Sequence, residues 1–370
     1  MLDEPIIAAS TIAWLAFGLG AIFGYIGNKT SFCTMGAVSD IVNMGDWTRM
    51  RMWMLAIGVA IVGTTGLQLA GLFDVSQSFY TGSRLIWLSN LLGGAIFGVG
   101  MVLASGCGSK TLIRIGGGNL KSLVVFAFLG ISAYMTMRGL FGVWRVSYID
   151  SVDIHLSTGQ DLPAILAGLG GMSRDTALLI ATAVVAGALL LFALASREAR
   201  NRDTLLGGVA IGALSVAGWY LTAHIGYVEE HPRTLEEAFI GTNSGRAESF
   251  TFIAPIAYTL ELLMLWSDAS RIVTFGIAGT LGVIFGSAAY ATFSRSFRLE
   301  GFHQTDDLVR HIIGGILMGF GGVTAFGCTI GQGVTGFSTL AIGSILTTFA
   351  IIAGAAVTMK IQYWRMMREV

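Results

Sequence analysis

Gly93–Cys107 reads GGAIFGVGMVLASGC, and Gly314–Cys328 reads GGILMGFGGVTAFGC. Eight of the fifteen positions are identical, and both copies close on Gly-Cys. A duplicated apolar segment that ends in a thiol at a glycine-rich break is the pattern of a membrane protein whose site is shared by two related halves.

The rest of the chain fits that pattern. Of 370 residues, 54% are hydrophobic and 12% charged, and the mean hydropathy is +0.72. A soluble domain carries about 25% charge. Apolar stretches of spanning length, roughly 20 residues, run at Ile6–Gly27, Met52–Phe73, Ile86–Ser105, Leu120–Phe141, Thr176–Ala195, Leu205–His224, Ile272–Phe293, Leu308–Phe326 and Leu340–Tyr363, with a shorter one at Phe250–Trp266. The 51 glycines against 4 prolines suit close helix packing and helix breaks. The net charge is zero, and no basic tail points to nucleic acid. Asp3 and Glu4 are unlike the basic start of a cleaved signal peptide. Three cysteines without a C-x-x-C pair make neither a disulfide framework nor an ordinary zinc site. Gly116-Gly117-Gly118 lacks the Gly-Lys-Ser/Thr of a phosphate loop, and no hydrolytic triad stands out, so no cofactor, metal or catalytic residue is expected.

Charge sets the expected topology. Arg197-Glu198-Ala199-Arg200-Asn201-Arg202 joins two apolar stretches and reads as cytoplasmic. The loops with Asp150, Asp153 and Asp161, and with Glu229, Glu230, Glu236 and Glu237, then lie outside. Phe250–Trp266 is short and holds Pro255 and Glu261, so it reads as a partial or re-entrant helix, with Arg271 a candidate partner for Glu261. The expected fold is therefore all-α and polytopic, with about nine transmembrane helices plus half helices in pseudo-symmetric inverted repeats. The N-terminus is outside and the C-terminus cytoplasmic. The chain reads as one unit, 1–370: a first half, 1–145, with Cys33 and Cys107; connecting helices and outer loops, 146–270; and a second half, 271–370, with Cys328. Gly20–Gly24 aligns with Gly282–Gly286, and Ser31-Phe32-Cys33 with Ser296-Phe297-Arg298, so Cys33 has a basic counterpart.

The thiols suggest a cargo. Gly106 and Gly108 flank Cys107, while Gly327, Thr329 and Gly331 surround Cys328. Glycine permits close approach of a ligand to the backbone, and a broken helix exposes N–H groups at a partially positive end, which suits a small anion. A protonated thiol adds a soft, weak donor. Weak sites in series suit conduction, because the ion must also leave. Lys110, Arg114 and Lys121 could draw anions to a cytoplasmic mouth, and the same residues serve positive-inside topology. Three alternatives stand beside this reading: buried cysteines acting as small hydrophobes, a three-cysteine site for a soft metal, and a relay enzyme that forms a persulfide.

Four elements resemble the YeeE/YedE family of bacterial sulfur-compound transporters: Ser31-Phe32-Cys33-Thr34, Gly93…Gly106-Cys107-Gly108, Ser294-Arg295-Ser296-Phe297-Arg298, and Gly319…Gly327-Cys328-Thr329-Ile330-Gly331. The resemblance implies thiosulfate uptake across the inner membrane by a protein of full and half-length helices. It implies that Cys33, Cys107 and Cys328 line the path, with selenium or other sulfur compounds as alternative cargo and a cytosolic sulfurtransferase as a possible partner. Two departures matter. Relatives often have Gly-Gly-Cys, where this chain has Ser105 and Phe326 before Gly-Cys. After Cys33, Asp40 remains but the arginine that usually precedes it does not.

Overall fold

A computed structural model of the chain describes residues 4–196, 200–231, 235–268 and 270–369. Its helices are α1 (Glu4–Lys29), α2 (Thr34–Met44), α3 (Thr48–Leu69), α4 (Trp87–Leu103), α5 (Gly108–Gly116), α6 (Leu120–Arg138), α7 (Leu140–Trp144), α8 (Leu162–Gly170), α9 (Arg174–Leu194), α10 (Arg202–Tyr220), α11 (Ile253–Met264), α12 (Phe275–Phe293), α13 (Thr305–Thr324) and α14 (Ile342–Glu369). Among the described residues, strand is confined to two short ribbons, 84–85 with 154–155 and 227–228 with 238–239.

Among the described residues, eight stretches are long and apolar enough to cross a membrane. Helix α13 is also long enough, at 20 residues, but carries Asp306, Asp307 and Arg310 in its first two turns. Helix α11, with 12 residues, is too short to cross. Pro255 falls in its first turn, where a missing N–H costs nothing. Its buried Glu261 accepts a hydrogen bond from the Tyr134 hydroxyl at 3.0 Å and pairs with Arg271 Nη1 at 3.0 Å. A carboxylate in apolar surroundings needs such partners.

Glycine contacts give the helix directions. Gly93 meets Gly321 and Ala325, while Gly100 meets Gly314 and Met318, so α4 and α13 run antiparallel. Helix α14 lies parallel to α4, with Gly94 at Ala350 and Gly98 at Ala355. Helix α6 lies parallel to α13, with Val125 at Gly315 and Ala133 at Gly319. A two-fold axis in the membrane plane would produce this exchanged packing. Helices α1 and α12 pack through the glycine pairs the sequence aligned, but they run parallel, with Gly20 at Gly279 and Gly24 at Val283. Their relation therefore lies outside that two-fold. Any side chain at Gly24 or Gly286 would strike the facing backbone, so these helices approach as closely as membrane helices do at small residues. Helix α3 finds its partners in the connecting region. It is antiparallel to α9, where Thr65 bonds Thr182 at 2.7 Å, and parallel to α10, where Met52 meets Gly207 and Ala56 meets Gly212.

One end gathers lysines and arginines with few acidic partners. Arg51 bonds the Phe192 carbonyl at 2.8 Å, Gly118 lies against Arg298, and Lys121 pairs with Asp307 at 2.6 Å. Of the arginine-rich turn, Arg197, Glu198 and Ala199 lie outside the described residues, as does Asp3. The acidic loops gather at the other end, where Arg84, Arg145 and Arg174 answer Asp153, Asp150 and Asp161.

Candidate functional site

All three cysteines occupy the same local structure. Helices α1, α4 and α13 end on a left-handed residue: Ser31 at φ 52°, Ser105 at φ 55° and Phe326 at φ 59°. The next residue's N–H returns to the carbonyl five positions back, from Phe32 to Gly27, Gly106 to Met101 and Gly327 to Gly322, at 3.1, 3.0 and 2.8 Å. This closure satisfies the orphan carbonyls of the ending helix. The following residue is the cysteine, and the chain then turns into a short helical segment. Cys33 is the N-cap of α2, Cys107 is the N-cap of α5, and Cys328 precedes a π-helical turn at Gly331–Gly336. The sulfurs of Cys33 and Cys328 accept from the N–H of Gly36 and Gly331, both at 3.4 Å. Cys107 Sγ lies 3.3 Å from Ser109 Oγ. Each thiol thus stands at the partially positive start of a helical segment.

The chain brings these starts together. The Cys107 thiol is within electrostatic reach of both Cys33 and Cys328. The Thr329 hydroxyl reaches from the second turn toward the Cys107 thiol, outside ideal hydrogen-bond geometry. Cys33, Cys107, Cys328, Gly106, Gly108, Gly327, Thr329 and Gly331 are all buried. Thr34 Oγ, Thr329 Oγ and Trp53 Nε1 are buried without a hydrogen-bond partner among the described residues, and Trp53 stacks on Phe32 with centroids 5.8 Å apart. Buried polar groups are nearly always paired, so these atoms have hydrogen-bonding capacity to spare.

A cavity opens on each side. On the basic end, about 520 Å³ is lined by Asn28, Ser105, Lys110, Arg114, Lys121 and Arg298. Lys110 interacts electrostatically with Cys33 and Cys107, and Arg114 Nη1 bonds the Ser105 carbonyl at 2.7 Å. On the acidic end, a chamber of about 350 Å³ is lined by Phe326 and Gly327 together with Arg138, Arg145, Glu248 and Thr251. The antiparallel run of α4 and α13 places the two lead-ins, Ser105-Gly106 and Phe326-Gly327, at opposite mouths. Burial pushes the Glu248 carboxyl up to about 7, against the N–H of Asn243 and the hydroxyl of Ser244, which favour the carboxylate.

Sequence reasoning missed one component. Residues 249–252 cross the core without helix before α11 begins. Thr251 packs on Gly331, the Thr335 hydroxyl bonds the Phe250 carbonyl at 2.7 Å, and the Phe252 backbone N–H points at the Cys328 thiol. Phe250-Thr251-Phe252 ahead of Pro255 was the available signal. The alignment of Cys33 with Arg298 is corrected by one residue. Helix α12 ends on its own left-handed residue, Arg295 at φ 53°, and the position two further on is Phe297. Asp40 is paired from nine residues downstream, where Arg49 Nε meets Asp40 Oδ2 at 2.6 Å. Among the described residues, no three His, Cys, Asp or Glu side chains are grouped as metal ligands would be.

A family model described as sulphur transport matches residues 29–357. A thiosulfate transporter, TsuA, from Escherichia coli (strain K12) is 27% identical over 329 residues, covering 85% of this chain and 84% of the relative. A thiosulfate transporter, also TsuA, from Spirochaeta thermophila is 26% identical over 348 residues, covering 92% and 96%.

Proposed function

The chain belongs to the sulphur-transport family, the YeeE/YedE family, and we propose that it is a permease for thiosulfate or a closely related sulfur anion. The support for this reading is that each thiol starts a helical segment, that Cys107 is within electrostatic reach of both Cys33 and Cys328, and that a cavity adjoins each Gly-Cys lead-in. The anion would pass Cys328, Cys107 and Cys33 in turn, held at each by a protonated thiol and backbone N–H groups. No single position gathers enough charge to trap it, as conduction requires. Lys110 would receive it on the basic side. The basic end would face the cytoplasm of an inner membrane, which puts the N-terminus outside and the C-terminus inside.

Uptake of labelled thiosulfate into proteoliposomes tests the relay. Cys107→Ala and Cys328→Ala are each expected to lower uptake by about tenfold or more, the scale of one lost polar contact at about 1.4 kcal/mol. Wild-type rates in both variants would eliminate the relay. A C-terminal reporter active only outside the cell would reverse the orientation.

A further inference from the structure

The acidic-end chamber has polar equipment of its own, apart from the thiols. Its walls are largely apolar, with Met137, Ile253, Phe275, Val323 and Phe326 among them. Arg145 enters from the turn after α7, with its side chain only 13% exposed. Its guanidinium sits over the Phe326 ring, 5.6 Å from the centroid. Nη1 reaches the Val323 carbonyl at 3.5 Å, and buried Nε has no hydrogen-bond partner among the described residues. The nearest carboxylate oxygen, Asp150 Oδ2, is 3.6 Å from Nε, while Asp150 Oδ1 accepts from Ser89 at 2.6 Å. An arginine this enclosed, with donor capacity to spare, is matched to an oxyanion, which accepts from a guanidinium fork.

The same chamber is lined by Glu248, which is 9% exposed and accepts from the Asn243 N–H at 3.1 Å and the Ser244 hydroxyl at 3.2 Å. The charged and titratable groups around it are Arg138, Arg145 and Tyr258 in the lining, and Tyr80, which senses it electrostatically. Arg246 is directed to the Ser78 carbonyl at 3.5 Å. A doubly charged anion entering this space meets an arginine it needs and a carboxylate it repels. Repulsion is removed if the carboxyl takes a proton.

We propose that this chamber is a receiving site in which a sulfur oxyanion docks on Arg145, and that filling it takes up a proton at Glu248. The proposal rests on the transport reading and adds to it a waiting position ahead of Phe326, with proton-linked occupancy. The raised Glu248 carboxyl supports the proton step, because near neutral pH the group is already poised to change state. A bound dianion raises it further, and by linkage the anion binds more tightly at lower pH.

The test is calorimetric titration of sodium thiosulfate into the detergent-solubilised full chain at pH 7.5, in two buffers of different ionisation enthalpy. Wild type is expected to take up about half a proton or more per anion, and its Kd to rise about tenfold between pH 6 and 8. Glu248→Gln is expected to bind with no proton uptake and a flat pH profile. Arg145→Gln, checked for folding by gel filtration, is expected to bind about tenfold more weakly. Equal proton uptake in wild type and Glu248→Gln, or undiminished affinity in folded Arg145→Gln, overturns the proposal. Proton-linked binding in a wild type that transports nothing would break the transport reading and leave the chamber standing. Transport without any thiosulfate binding at this site would do the reverse.

Discussion

After Cys107 the chain coils into nine regular helical residues, Gly108–Gly116; after Cys328 it widens into the π-helical turn Gly331–Gly336 and tightens into a 3-10 turn, Phe337–Thr339. The lead-ins to both thiols match at eight of fifteen positions and close with the same hydrogen bond, so the difference in the turns arises downstream. In the second turn, neighbours press on every glycine: Thr251 on Gly331, the Trp53 ring on Gly333, and Tyr80 with Ser344 on Gly336. A regular helix would project side chains into that space. Glycine admits the neighbours instead, and the ladder widens, as it does at π-bulges near functional sites. In the first turn, Lys110 and Arg114 face a polar cavity and the helix stays regular. The lead-in places the thiol, and the residues after the cysteine decide whether the segment is sealed in the core or open to a charged mouth.

The sharpest way to break this comparison is a methyl group on each side. At Gly331 an added Cβ would collide with the Thr251 side chain, which sits on the non-helical 249–252 segment. Gly331→Ala is expected to displace that segment and lower thiosulfate uptake by about 100-fold, as misplacement of about 1 Å does in a tight site. At Gly108 the nearest atom is the flexible end of Ile253, at 3.2 Å. Gly108→Ala is expected to stay within about threefold of wild type, since such an end can shift at small cost. Equal losses in proteoliposome uptake would mean that both turns are equally sealed.

A smaller effect separates the mouths. Lys110 interacts electrostatically with Cys33 and Cys107, whereas the leading influences at Cys328 are burial and backbone N–H groups. Lys110→Met keeps the stem and removes the charge. Uptake is expected to fall about tenfold, with a weaker dependence on ionic strength than wild type. An unchanged salt profile would show that Lys110 serves topology and not the ion.

Much of this site was legible before any coordinates. The repeated Gly-Cys segments marked two of the three turns. Shortness, Pro255 and Glu261 marked Phe250–Trp266 as a partial helix, and the 3.0 Å pair makes Arg271, a candidate partner in the sequence, the one Glu261 takes. What the sequence concealed was backbone geometry. Ser31, Ser105, Phe326 and Arg295 share one left-handed conformation, yet no residue type is common to them. That identity made Cys33 a third copy of the same turn and moved its alignment partner to Phe297. The parallel run of α1 and α12 was equally hidden, because a glycine pair has the same spacing whichever way its partner helix points. The core segment 249–252 left only a faint trace, since a stretch of extended backbone held by two side-chain contacts has no period to read.

The left-handed position itself yields the smallest difference between the turns. A non-glycine residue at φ near +55° strains Cβ against the following carbonyl, by about 1–2 kcal/mol. Ser105→Gly relieves that strain and keeps the backbone carbonyl that Arg114 bonds. Unfolded-chain entropy takes back part of the gain, so a net stabilisation of about 0.5–1 kcal/mol is expected in detergent melting experiments. Phe326→Gly relieves the same strain but removes the ring beneath Arg145. A cation–ring contact is worth about 0.5–1 kcal/mol, so the two changes offset and the melting point is expected to move little. A clear stabilisation of Phe326→Gly, matching that of Ser105→Gly, would mean that the ring contributes no stability and is retained for its place at the mouth.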